Sequence, residues 1–136
     1  MTFPGYTLKE LTISDLMFSS NTPTNANFYI YLGTIPFLTI QYNSISINYR
    51  MGDSTPAYST ITSGLSPRTS RLTITLTIVS STSMRLDIRS VNKTSGVVNT
   101  YTQNLTLSAH NLSILSQYVE FRKFNIDGYS YTYDVS

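Results

Sequence analysis

Alternation of apolar and polar residues dominates this chain, most clearly in SRLTITLTIVSSTSMRLDIRSV, residues 70–91. Successive side chains of a strand point to opposite faces, so Leu72, Ile74, Leu76 and Ile78 share one side and Thr73, Thr75 and Thr77 the other. Met84, Leu86 and Ile88 then alternate with Arg85, Asp87 and Arg89. If the two runs form a hairpin with one buried face, Ile78 must meet Met84 and Leu76 must meet Leu86. That requires an odd-length loop. A two-residue turn would set Ile78 against Arg85 and put the apolar faces out of phase. The permitted register places Thr73, Thr75 and Thr77 beside Arg89, Asp87 and Arg85. The threonine side then reads as a solvated ladder of cross-strand polar pairs, since threonine combines strand propensity with a polar tip.

The same period recurs along the sequence. Strands are expected in YTLKELTIS (6–14), FYIYLG (28–33), PFLTIQY (36–42), ISINYRM (45–51), VVNTYTQNLTL (97–107), YVEFRKFNI (118–126) and YSYTYDV (129–135), with a weaker one in AYSTIT (57–62). A turn or bulge is expected at Asn43–Ser44, where the parity changes, and a two-residue hairpin turn at Asp127–Gly128. SAHNLSILSQ (108–117) offers one or two helical turns with Ser108 as cap. Turn signals spaced this way suit sandwiches and barrels. The expectation is therefore all-β: one antiparallel β-sandwich over residues 1–136, jelly-roll-like before immunoglobulin-like, with at most one short helix.

Bulk chemistry narrows the function. A chain of 136 residues can build one core without staples, and it has no cysteine for disulfides or thiolate metal sites. Its nine basic and seven acidic residues give a net charge of +2, and the basic ones are scattered, so no phosphate-tracking stripe forms and nucleic acid is not expected as a partner. Charged residues are only 12% of the chain, with 40 Ser and Thr in their place. Such a surface changes little with pH. No apolar run is long enough for a membrane span, and MTFPGYTLKE does not read as a signal peptide.

Catalytic chemistry is sparse. His110 is the one histidine, and no G-x-S-x-G elbow accompanies it. None of the seven carboxylates forms an evident local pair, and no calcium loop, zinc helix or nucleotide loop appears, so neither metal nor cofactor is expected. Tyr129, Tyr131 and Tyr133 form a stripe on one face of the last strand, either a core face or a binding and assembly face. Asn92, Asn104 and Asn111 begin N-x-S/T sequons, which matter only in a glycosylating compartment.

Together these features point to a non-enzymatic structural subunit of an extracellular assembly, sharpest as a virion coat or spike protein. It would be located in a virion or on an outer surface and associate with itself or with other surface proteins. The alternative is a carbohydrate-binding or adhesive module presenting its tyrosines to glycans.

Overall fold

The computed structural model describes residues 2–3, 5–19, 25–32, 34–43, 46–52, 58–63, 70–106, 109–115 and 117–136. Ten strands and one helix follow in order: β1 (Leu8–Phe18), β2 (Asn25–Leu32), β3 (Ile35–Asn43), β4 (Ser46–Met51), β5 (Ser59–Ser63), β6 (Ser70–Ile78), β7 (Ser83–Asn92), β8 (Val98–Thr106), α1 (Ala109–Leu115), β9 (Glu120–Phe124) and β10 (Ile126–Val135). They form two five-stranded antiparallel sheets, with orders β10-β1-β6-β7-β8 and β5-β4-β3-β2-β9. The all-β sandwich expected from the alternation is thus the fold. Between a jelly-roll and an immunoglobulin-like order the two sheets do not choose.

Apolar positions of the alternating pattern face the space between the sheets. Leu11, Ile13 and Leu16 of β1, Leu72, Ile74 and Leu76 of β6, and Met84, Leu86 and Ile88 of β7 are buried from the first sheet. Phe28 and Ile30 of β2, Leu38, Ile40 and Tyr42 of β3, and Ile47 and Tyr49 of β4 meet them from the second. Burying a side chain of this size contributes about 1.5–3 kcal/mol, so this two-sided core holds the sandwich closed. Leu115 of α1 and Val119 after it complete the core.

The β6–β7 hairpin has the register that face-matching demands. Ile78 pairs with Met84, Leu76 with Leu86, and Thr77, Thr75 and Thr73 with Arg85, Asp87 and Arg89. The threonine side is outward and continues onto β1 and β10 as well. Thr132, Thr12, Thr75, Asp87 and Thr102 form one row across all five strands.

Two departures from the sequence reading have local causes. Asp127 and Gly128 do not make a hairpin turn. The chain reverses at Asn125, whose φ of 57° is left-handed, and passes there from one sheet to the other, so β9 pairs with β2 and β10 with β1. Asn tolerates this conformation better than other non-glycine residues, and its Nδ2 donates to the Asn25 carbonyl at 3.0 Å. Gly128 lies instead inside β10, opposite Met17. The second departure is in β1, where a register shift against β6 falls between Ile13 and Leu16 and Asp15 takes a φ of 52°. This bulge lets both Ile13 and Leu16 point inward. The expected turn at Asn43–Ser44 and the Ser108 cap involve positions outside the described residues.

Candidate functional site

The sequence-predicted residues are dispersed. Tyr129, Tyr131 and Tyr133 lie on the inward face of β10, where Tyr133 pairs with Leu11 and Tyr131 with Ile13. Being on an edge strand they reach only the margin of the core: Tyr129 is half-buried, whereas Tyr131 and Tyr133 are 45% and 50% exposed. Their rings close the gap between the sheets. Tyr129 packs on Phe28 and Phe121, Tyr131 on Phe121, and Tyr133 on Phe3, with centroids 4.8–5.9 Å apart. Burial pushes the Tyr129 hydroxyl above its ordinary pKa, and neighbouring Tyr131 adds to the effect.

Asn92 caps its turn, its Oδ1 accepting from the backbone N–H groups of Thr94 and Ser95 at 2.9 and 3.0 Å. Asn104 is exposed on β8, and Asn111 is half-buried on α1. His110 falls in α1, with its side chain outside the described residues. Among the described residues no three metal-ligating side chains gather, and no helix is long and apolar enough to cross a membrane.

The outer faces of the two sheets differ in how completely their polar groups are satisfied. On the first sheet, Asp87 accepts from the Thr102 hydroxyl at 2.6 Å and from Arg85 Nε at 2.9 Å. Burial alone would raise the Asp87 carboxyl, but these two bonds and the Arg85 charge outweigh it and hold the pKa below the ordinary value. A shallow depression beside this network is lined by Thr73, Thr75, Asp87, Arg89, Thr100 and Thr102.

The second sheet's outer face carries a row that crosses four strands. Arg50 of β4, Thr39 of β3, Tyr29 of β2 and Arg122 of β9 are successive cross-strand partners. The next row is Asn48, Gln41, Asn27 and Phe124. Each arginine lies over a tyrosine ring: Arg122 is 4.0 Å from the centroid of Tyr31, and Arg50 is 4.3 Å from that of Tyr58. Such cation–π contacts contribute about 0.5–1 kcal/mol at exposed sites. They also fix where the planar guanidinium forks can point. The Arg122 Nε donates to Glu120 at 3.1 Å. Arg50 has no carboxylate partner among the described residues.

Three side-chain atoms on this face are buried without a protein hydrogen-bond partner: Asn27 Oδ1, Thr39 Oγ1 and Arg50 Nε. Thr39 is only 1% exposed although its strand position faces outward. Leaving a buried polar group unpaired costs about 1–3 kcal/mol; three such atoms gather on adjacent strands here, against one, Thr77 Oγ1, among the described residues of the first sheet's outer face. Burial raises the Tyr58 hydroxyl; the Arg50 charge opposes this and Tyr29 adds to it, placing these three side chains in one electrostatic cluster.

Sequence reasoning passed over this patch. FYIYLG reads in sequence only as a strand; its Tyr29 and Tyr31 turn outward, the arginines come from β4 and β9, and no local pattern announces that they share this face. A separate cavity of about 260 Å³ opens where α1 meets the ends of β2, β3, β4 and β8, lined by Leu32, Phe37, Met51, Thr106, Asn111 and Ile114 among others.

No protein-family model matches the chain, and no curated protein matches its sequence. Solved structures do resemble it. Scytalido-glutamic peptidase, bound to a transition-state analogue inhibitor, is 10% identical with a TM-score of 0.45, over 100% of this chain and 77% of that one. SCP-B, a member of the eqolisin family of peptidases solved with the tripeptide Ala-Ile-His, is 13% identical with a TM-score of 0.38, over 97% of this chain and 70% of that one. The expectation of a non-enzymatic virion subunit, with a carbohydrate-binding or adhesive module as its alternative, is corrected by this finding: the similar structures are enzymes, and nothing points to a coat, capsid or spike. The composition that suggested a virion records a low-charge surface and carries no motif of assembly. At these identities the resemblance assigns no residue a role.

Proposed function

We propose that the protein binds a ligand bearing an oxyanion, such as a carboxylate, sulfate or phosphate group, on the outer face of the second sheet. The reading rests on Arg50. Its guanidinium is held on the Tyr58 ring without a carboxylate partner among the described residues, and its cross-strand partner is Thr39, whose hydroxyl is buried and unpartnered. An arginine pre-oriented on an aromatic ring loses little entropy on pairing with a planar oxyanion. Arg122, roughly 14 Å away by three strand spacings, supplies a second guanidinium for an extended ligand. Asn48, Gln41 and Asn27 supply amide donors and acceptors between them.

Binding should be seen first with simple probes. Inorganic phosphate, sulfate and acetate, each titrated into the isotopically labelled chain, should shift the amides of β3 and β4 and weaken as salt rises. Arg50→Ala should lower the affinity about 10- to 100-fold, the loss expected for a hydrogen bond to a charged group. Arg89→Ala, a change to an exposed arginine on the opposite sheet, should leave the affinity unaltered. No amide shifts with any of the three probes, or equal losses from both variants, would sink the reading.

A further inference from the structure

We propose that the protein pairs with a second copy of itself along β8, antiparallel about a two-fold axis at Tyr101, so that two five-stranded sheets become one of ten strands. An edge strand presents unpaired backbone donors and acceptors, and proteins that stay monomeric blunt such edges with charge, short length or bulges. Three of the four sheet edges here are blunted. β10 carries Asp127 and Asp134 and has register shifts against β1. β9 has five residues, of which Glu120, Arg122 and Lys123 are charged. β5 has five residues and a register shift against β4. By contrast β8 runs for nine residues, VNTYTQNLT, without a charge or a proline, and pairs with β7 from Val91↔Val98 to Ser83↔Thr106 without a shift.

A second copy of β8 fits this edge in one register. With Tyr101 opposite its own twin, Thr100 faces the partner's Thr102. Side chains keep their faces, because paired positions then share parity. On the outer face the row Thr73–Arg89–Thr100 continues into the partner's Thr102, Asp87 and Thr75. Charged side chains stay one strand back from the seam, Arg89 lying roughly 14 Å from the partner's Asp87 by three strand spacings. On the inner face half-buried Leu105 meets the partner's Val97, a residue 55% exposed in the single copy. No β8 residue brings like charges together. The pairing thus places no charge against another across the new seam and covers exposed apolar surface at both ends.

Sedimentation velocity of the full chain over a micromolar-to-millimolar range should reveal a concentration-dependent dimer. Replacing both Thr100 and Thr102 by lysine sets lysine against lysine twice across the two-fold and should weaken the dimer roughly tenfold or more. Both positions are exposed, and circular dichroism checks that the variant still folds. The register has its own test, clean because the chain has no cysteine. A mixture of Thr100→Cys and Thr102→Cys chains should form a disulfide-linked heterodimer on mild oxidation, faster than either variant alone forms a homodimer. A monomer at every concentration overturns the proposal. So does a dimer that tolerates the lysine pair, or one in which the mixed cysteines link no faster than the separate ones.

Discussion

Glu10 and Asp134 stand directly opposite each other on β1 and β10, both exposed and both on the outer face. Like charges in directly opposed positions destabilise a sheet, and opposite charges contribute roughly 0.2–1 kcal/mol. Glu10→Lys should therefore raise the unfolding free energy read from a urea titration by about 0.2–1 kcal/mol, moving the midpoint up without changing the slope. Asp87 gives the acid side of the pH profile. Its carboxyl is held below its ordinary value in the folded state, so its contribution is present above the unfolded carboxyl pKa. It is lost as pH falls through the lower, folded one. Asp87→Asn should flatten the fall of the unfolding midpoint on acidification below about pH 4, the ordinary carboxyl value, while a slope equal to that of the parent chain would contradict the assignment. Thr39 tests the unsatisfied patch. Replacing its hydroxyl with a methyl of the same shape removes an unpaired buried group, so Thr39→Val should leave the fold equally stable or more stable by about 1 kcal/mol.

At the scale of elements, the inward stripe of β10 should show a gradient. Tyr129 is half-buried between Phe28 and Phe121, whereas Tyr131 and Tyr133 are about half exposed. Truncating an aromatic side chain in a core costs about 3–5 kcal/mol; Tyr129→Ala should approach the lower end, and Tyr131→Ala and Tyr133→Ala should cost markedly less in chemical denaturation. The β6–β7 hairpin makes the opposite demonstration. Its register was legible from sequence because both strands, their faces and their loop are contiguous, so parity alone decides it. One residue inserted at Ser81, an exposed loop position, should be taken up by the loop and leave the register and the unfolding midpoint nearly unchanged, because the matched faces and not the loop length hold the pairing. The turn proposed at Asp127–Gly128 failed because local turn chemistry cannot say whether the next strand joins the same sheet. Here β1 offers an edge to β10 and β2 an edge to β9, and Asn125 supplies the reversal in place of glycine. The Arg50–Thr39–Tyr29–Arg122 row was illegible for the same reason, since strand neighbours such as β2 and β9 are set by the whole core and not by adjacent sequence.

On the scale of the molecule, the alternation was enough to give a sandwich with one short helix, and far-UV circular dichroism should accordingly be dominated by β structure. Function was not legible in that way. Low charge and abundant hydroxyls describe a surface without saying what touches it, and the side chains that distinguish the second sheet's outer face converge only when the chain is folded. Strand order also carries a kinetic consequence. Two runs assemble from neighbours in sequence, β2 through β5 and β6 through β8, and each can form by successive hairpins. β1 cannot finish in this way, because it lies between β6 and β10, and Leu8 is matched to Val135. A chain emerging from the ribosome would hold β1 with one flank open until β10, more than a hundred residues further on, had been made. Closing so long a loop is entropically slow, and sheets dominated by distant pairings fold in roughly milliseconds to seconds. The interval before β10 arrives is when β1 is most open to a wrong partner.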